Sequence, residues 1–136
     1  MITWQAFVLA LIMQESGGNN LAVGDGGDSH GPLQIQAACV ADANLWRKAR
    51  GLSQYKFPED CYDRAKAEQI LIAYIGRYAT EERLGRKPTC QDYARIWNGG
   101  PNGYRNRVDK DGNLTEATKN TIKYWEKLKK NNPSLR

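Results

Sequence analysis

Glu15 closes an apolar stretch. It lies four residues after Leu11 and seven after Val8, so on a helix it continues the same face. A carboxyl at the core-facing end of a helix is partly desolvated, and desolvation favours its protonated form. A general acid needs that form if it is to protonate a departing oxygen near neutral pH. Without such burial, Glu15 would be a solvated helix-terminal glutamate. Asp25 and Asp28 follow in a Gly-rich stretch, where Asp beside Gly reads locally as a turn residue.

Other chemistries are poorly supplied. The three cysteines, Cys39, Cys61 and Cys90, form no CxxC pair, and His30 is the sole histidine. A zinc site would have to recruit carboxylates, so no metal is expected. The odd cysteine count leaves at least one thiol unpaired and room for one disulfide, in any of three pairings. Asp109-Lys110-Asp111-Gly112-Asn113 imitates the start of a calcium loop. The glycine position of that loop holds Leu114, however, and its twelfth position holds Asn120, so the segment reads as a solvated turn. Asn113-Leu114-Thr115 matches a glycosylation sequon, but helix capping by Asn113 or Thr115 accounts for it.

Composition narrows the partners. The 136 residues fit one domain, 40% of them are hydrophobic, and the 26% that are charged form no long polar tract. A net charge of +5 suits solubility or an anionic polymer. The basic residues are dispersed apart from Lys127, Lys129 and Lys130, and no basic stripe with interleaved aromatics points to nucleic acid. The longest apolar run, residues 7–13, is too short to span a bilayer. No Lys or Arg precedes it and no small-residue cleavage site follows, so it reads as a core helix of a mature chain whose leader is gone.

The elements that must position Glu15 are mostly helical. Trp4, Phe7, Val8, Leu11 and Ile12 recur at helical spacing, Thr3 can cap the start, and Gly17-Gly18-Asn19-Asn20 ends the helix. Leu21-Ala22-Val23 and Leu33-Gln34-Ile35 are expected to pair as a small hairpin around residues 24–31. Further helices are expected over residues 37–50, about 58–80 (face Ala67, Ile70, Leu71, Tyr74, Ile75, Tyr78), from Thr89-Cys90-Gln91-Asp92 onward, and about 115–131. Thr89 and Asp92 have capping-box spacing, and Cys90, Tyr93, Ala94 and Trp97 are the expected buried face of that helix. Asn98-Gly99-Gly100-Pro101-Asn102-Gly103 is expected to be a turn-rich loop. In the last helix Ile122, Trp125 and Leu128 face inward. The expected fold is mainly α, an α+β arrangement with one small antiparallel β element, in a single domain over residues 1–136.

Glu15-Ser16-Gly17-Gly18-Asn19, Ala22-Val23-Gly24-Asp25 and Gly31-Pro32-Leu33-Gln34-Ile35 together resemble the signature of the lysozyme superfamily, shared by goose-type lysozymes and lytic transglycosylases. Arg77-Tyr78-Ala79-Thr80, Thr89-Cys90, Ala94-Arg95, Asn98-Gly99-Gly100-Pro101-Asn102-Gly103 and Lys123-Tyr124-Trp125-Glu126 then follow in the order found in invertebrate-type, destabilase-like lysozymes. The resemblance covers residues 10–128 or so. The ordered set with Asn-Gly-Gly-Pro-Asn-Gly is its specific part.

The resemblance implies a lysozyme-like fold with the β element flanking the cleft, and Glu15 as general acid. It places a second carboxylate shortly before the Gln-Ile strand: Asp25 if a one-residue gap is allowed, or Asp28, which is nearer the strand. That carboxylate attacks the anomeric carbon, stabilises the oxocarbenium ion or activates water. Gln34 and Ile35 would line the cleft floor, Ser16 would hydrogen-bond near the acid, and Asn98 and Gly99 would belong to the far wall. Tyr93, Trp97 and Tyr104 are candidates for stacking on sugars. The implied substrate is peptidoglycan glycan strands, cut between N-acetylmuramic acid and N-acetylglucosamine, and whether chitin oligosaccharides are also cut is left open by the sequence. No cofactor is implied, nor a nucleic-acid partner or membrane insertion, and the expected state is a monomer, secreted, at the cell envelope or serving phage release.

Two other readings stand beside it. One is a lytic transglycosylase that uses Glu15 alone and leaves anhydromuropeptides; the other is a non-catalytic wall-binding domain. The sequence also departs from the family. Its three cysteines contrast with the family's many, which points to a bacterial or phage relative. Trp97 stands where relatives often carry His, Tyr104 where they carry Cys, and Gln36 where they carry Lys. Some relatives are credited with an isopeptidase activity that uses a Ser and a Lys, and Gln36 leaves this chain without that Lys.

Overall fold

A computed structural model describes residues 3–135. Six α-helices and one two-stranded antiparallel sheet are present among them. They fall into two compact units, residues 4–77 and residues 78–135 with Thr3.

The first unit opens with α1, Trp4–Ser16, which buries Phe7, Val8, Ala10, Leu11 and Ile12. The helix stops where Gly17 takes a left-handed conformation (φ 64°) and its N–H donates to the Met13 carbonyl at 3.0 Å. Strand β1, Val23–Gly24, pairs with β2, Ser29–His30, in the register Val23↔His30 and Gly24↔Ser29. A 3-10 turn, Asp25–Gly27, joins them.

Leu33-Gln34-Ile35 is therefore not the hairpin partner that its apolar alternation predicts. Gly31 (φ 82°) and Gln34 (φ 52°) curl residues 31–34 into a turn, and Ile35 alone bridges back to His30. Gly31 is required there for a second reason. A Cβ at that position would lie 1.8 Å from the carbonyl oxygen of Cys61, because two backbones meet.

Helix α2 spans Ala37–Lys48. The helix expected from about residue 58 begins later. Glu59–Tyr62 is a 3-10 turn, Asp63 is extended, and α3 covers Arg64–Tyr78. Asp63 acts as its cap, with Oδ1 accepting from the Lys66 N–H at 3.0 Å. The expected face is buried at Ala67, Ile70, Leu71, Tyr74 and Ile75, and half-buried at Tyr78. Arg64 ties the start of α3 to the loop after α1, donating to Asn20 Oδ1 at 2.9 Å and to the Gly18 carbonyl at 2.8 Å.

The second unit holds α4 (Glu81–Leu84), α5 (Cys90–Gly99) and α6 (Glu116–Asn131). The Thr89–Asp92 capping box forms as the spacing predicts. Thr115 caps α6 by accepting from the Thr118 N–H. The buried face of α5 differs from the expected one: Asp92, Ala94, Arg95 and Ile96 are buried, while Cys90, Tyr93 and Trp97 are half-buried. Polar residues can take inner positions when partners satisfy them. Asp92 accepts from Arg86 Nη1 and Nη2 at 2.5 and 2.8 Å. Arg95 donates to Thr121 Oγ1, the Arg105 carbonyl and Asn106 Oδ1. In α6, Trp125 and Leu128 are buried as expected, whereas Ile122 is half-buried and Thr118 and Thr121 take inner positions.

All three cysteines are free thiols. Among the described residues no helix is long and apolar enough to cross a membrane. Asp109–Asn113 is an exposed turn, with Asp109 Oδ1 accepting from the Asp111 and Asn113 N–H groups and a bridge between Val108 and Leu114 closing it.

Candidate active site

Glu15 is the penultimate residue of α1 and is half-buried. Its neighbour Ser16 fastens the helix end to the β element. The Ser16 hydroxyl lies 2.8 Å from the Pro32 carbonyl and 3.1 Å from the Ile12 carbonyl, and it accepts from the Gly18 N–H at 3.2 Å. The end of the helix that carries the acid and the turn at residues 31–34 are thus held together by one side chain.

Asp25 opens the turn between β1 and β2. Its backbone is left-handed (φ 51°), a conformation uncommon for a residue other than Gly and one that Asp tolerates better than most. Its carboxylate Oδ2 accepts from the Ser29 hydroxyl at 2.6 Å, and Ser29 Oγ in turn accepts from Gln36 Nε2 at 3.2 Å. Asp28 sits at the exposed far end of the same turn, its backbone N–H donating to the Asp25 carbonyl at 3.3 Å.

His30 braces the turn from the other side. Its Nε2 lies 2.8 Å from the Gly27 carbonyl, which can only accept, so Nε2 donates there, and Nδ1 shares a 2.5 Å hydrogen bond with the Tyr62 hydroxyl. The rings of Phe57 and Tyr62 stand edge-on to the imidazole.

Gln34 lies within the β element. Its amide nitrogen donates to the carbonyls of Ala22 (3.2 Å) and Gly31 (3.0 Å), and its Oε1 presses on Gly24, where a Cβ would come within 2.3 Å. Ile35 is 1% exposed and exchanges both backbone hydrogen bonds with His30. The first unit therefore joins Ser16, Asp25, Gln34 and Ile35 to the end of α1 through hydrogen bonds and one bridge.

The other sequence candidates belong to the second unit. Asn98 and Gly99 are not in a loop. They form the exposed last positions of α5, and the turn begins at Gly100 (φ 88°). Gly99 allows a close approach, because a Cβ there would lie 2.2 Å from Thr121 Cγ2. Tyr104 is half-buried, donates its hydroxyl to the Arg83 carbonyl at 3.2 Å, and has the guanidiniums of Arg83 and Arg105 at 5.8 and 5.2 Å from its ring centre. Arg83 also donates to the Tyr78 and Pro101 carbonyls, pinning the turn that follows α5. Tyr93 is half-buried, and burial pushes its phenol up.

The strongest shifts in proton affinity fall on groups with structural places. Burial pushes the Cys39 thiol up, and it raises Cys61 to about 12. Burial also pushes the Asp92 carboxyl up, but the Arg86 and Thr89 hydrogen bonds outweigh it and hold the carboxyl below its usual range. Among the described residues no cluster of three or more His, Cys, Asp or Glu could hold a metal ion.

Ser29 is a functional candidate that the sequence reading missed, and Gln36, singled out there only as standing where relatives carry Lys, joins it as its partner. The signal for Ser29 was its spacing, four residues after Asp25 and seven before Gln36.

The destabilase family profile matches residues 6–131. No curated protein sequence matches the chain. Among solved structures, the crystal structure of Tapes japonica lysozyme is 26% identical, with TM-score 0.64 over 91% of this chain and 86% of that one. The structure of inhibitor-bound lysozyme from Meretrix lusoria is 27% identical, with TM-score 0.65 over 95% of this chain and 89% of that one. A chain of the complex between Aeromonas hydrophila PliI and Meretrix lusoria lysozyme matches with the same values. The chain belongs to the destabilase family and has a lysozyme-like α+β fold.

Proposed function

We propose that the protein hydrolyses the β-1,4 bond between N-acetylmuramic acid and N-acetylglucosamine in peptidoglycan, with Glu15 as general acid and Asp25 as the second carboxylate. Family membership makes the chain a lysozyme-type glycosidase, and the finer assignment builds on that. The observation that supports it best is the anchored carboxylate of Asp25, which accepts a 2.6 Å hydrogen bond from the buried hydroxyl of Ser29 in β2, while the neighbouring turn at residues 31–34 is fastened to the helix that carries Glu15 through Ser16 and the Pro32 carbonyl. Asp28 has no comparable anchor.

In this reaction Glu15 gives its proton to the glycosidic oxygen as the bond from the anomeric carbon to that oxygen breaks. The sugar left behind gains positive charge, and the Asp25 carboxylate stabilises it. Water then supplies a hydroxyl to the anomeric carbon, and its remaining proton returns to a carboxylate. The +5 net charge favours approach to a wall polymer that carries anionic groups. Such an enzyme works where the wall is, at the cell envelope or outside the cell.

The test is mass spectrometry of purified peptidoglycan digested with wild type and Glu15→Gln. Wild type is expected to release muropeptides with free reducing ends, and Glu15→Gln to be slower by about a thousandfold at an unchanged melting temperature. Anhydromuropeptides from wild type would replace hydrolysis by transglycosylation. Equal release by both proteins would remove Glu15 from the role of acid.

A further inference from the structure

We propose that Ser29 is the positioning residue of the second carboxylate, holding Asp25 through a hydrogen-bond chain that starts at Gln36. The proposal rests on the reading of Asp25 given above. Ser29 is 1% exposed and a hydroxyl has one proton to give. Its contact with Asp25 Oδ2 is 2.6 Å, and a carboxylate oxygen can only accept, so the proton points at Asp25. The lone pairs of Oγ face Gln36, whose Nε2 donates at 3.2 Å. The direction of the hydroxyl is thereby fixed at both ends.

The backbone explains why an anchor is needed. Ser29 is the cross-strand partner of Gly24, so its side chain reaches across the mouth of the hairpin to the next residue, Asp25. The turn it spans contains two glycines at positive φ, Gly26 (66°) and Gly27 (104°). Glycine backbone is soft. A carboxylate carried by such a turn keeps one orientation only if something holds it. His30 fixes the turn's backbone through the Gly27 carbonyl, and Ser29 fixes the carboxylate. With Oδ2 held, the exposed Asp25 keeps Oδ1 for the developing charge.

Gln36 decides what Ser29 does. A neutral amide cannot take the Ser29 proton, so Gln36 offers the hydroxyl a donor and not a base. Its proton stays on the line to Asp25, and the buried serine serves the glycosidase.

The experiment is a double-mutant cycle on soluble peptidoglycan fragments with wild type, Ser29→Ala, Asp25→Asn and the double variant, each checked by thermal melting. Gln36→Leu is included because position 36 is exposed and its change leaves the core intact. Ser29→Ala is expected to lower kcat roughly 10–100-fold with KM unchanged, as misplacement of a reacting group does. In the Asp25→Asn background the same change is expected to have less than about a twofold further effect, which is the non-additivity of a shared role. Gln36→Leu is expected to follow the same pattern with a smaller loss. An equal fold-loss in both backgrounds, or an unchanged kcat in Ser29→Ala, would overturn the role of Ser29 while leaving Asp25 in place. Full activity in Asp25→Asn would remove the second-carboxylate reading itself, and the positioning role with it.

Discussion

Between Val23 and Gln36 the chain makes two strands of two residues each, and the segment is held by side chains that bond to backbone or to one another: Gln34 to two carbonyls, His30 to one, Ser29 to Asp25. Between Thr89 and Asn131 the same job is done by two regular helices with side-chain caps. The first region has almost no ladder to hold it, so its geometry depends on single contacts. The second distributes its stability over repeated backbone bonds and tolerates local change. Gly31 and Gly99 show this contrast, although Gly103 in the second region also lies against backbone, where a Cβ would come within 2.1 Å of the Arg95 carbonyl oxygen. At Gly31 a Cβ would meet backbone, at Gly99 the methyl end of a threonine.

The largest effect separating the regions is expected at Gly31→Ala. The new methyl would overlap the Cys61 carbonyl at 1.8 Å in a backbone with φ 82°, and neither can yield locally. A loss of at least about 3 kcal/mol is expected from chemical denaturation, with activity falling alongside.

Next comes Asp92→Ala in the helical region, expected to cost about 2 kcal/mol through the lost capping box and ion pair. Arg86 is 53% exposed, so the pair itself is screened and most of that cost lies in the cap and the buried carboxylate. Because folding lowers the Asp92 proton affinity, the contribution is present above the unfolded value of about 3.9 and is lost as pH falls through the lower folded value. The stability gap between wild type and Asp92→Ala should therefore be full at pH 6 and narrow in acid below about pH 4. A gap that widened in acid would contradict the assignment.

The smallest effect is expected at Gly99→Ala. Thr121 is buried and its hydroxyl is held by Arg95 and the Thr118 carbonyl, so its Cγ2 yields at some cost, but a side chain yields more easily than backbone and alanine favours the helix, so the net cost should be about 1–2 kcal/mol. If Gly99→Ala proved as damaging as Gly31→Ala, the two regions would not differ in the way described.

The same contrast explains what could be read from the sequence. Helices α5 and α6 announced themselves through Thr89, Asp92 and Thr115, because capping chemistry is local. Glu15 stands out as a candidate because helical periodicity puts it on the face of Leu11 and Val8. Asp63, a cap in plain view, marked the true start of α3, but the apolar face ran on past it and Pro58 was an attractive beginning. Leu33-Gln34-Ile35 alternates like a strand, yet Gly31 and Gln34 at positive φ make it a turn, and strands of two residues leave propensity little to act on. The inner face of α5 was misjudged at Asp92 and Arg95, whose partners Arg86, Thr121 and Asn106 are not marked by any hydrophobic pattern. The link from Gln36 through Ser29 was invisible for a related reason. Their connection to Asp25 exists only once an irregular loop has folded.

The three free thiols carry one more consequence. Lysozymes of the invertebrate type resembled by this sequence are usually laced with disulfides, whereas here no sulfur–sulfur bond ties the described chain together. Its fold rests on packing, caps and hydrogen bonds, none of which waits for an oxidant. Burial raises the Cys61 thiol to about 12 and pushes Cys39 in the same direction, which disfavours the thiolate at both. Closing a disulfide is therefore not a condition for forming the described fold.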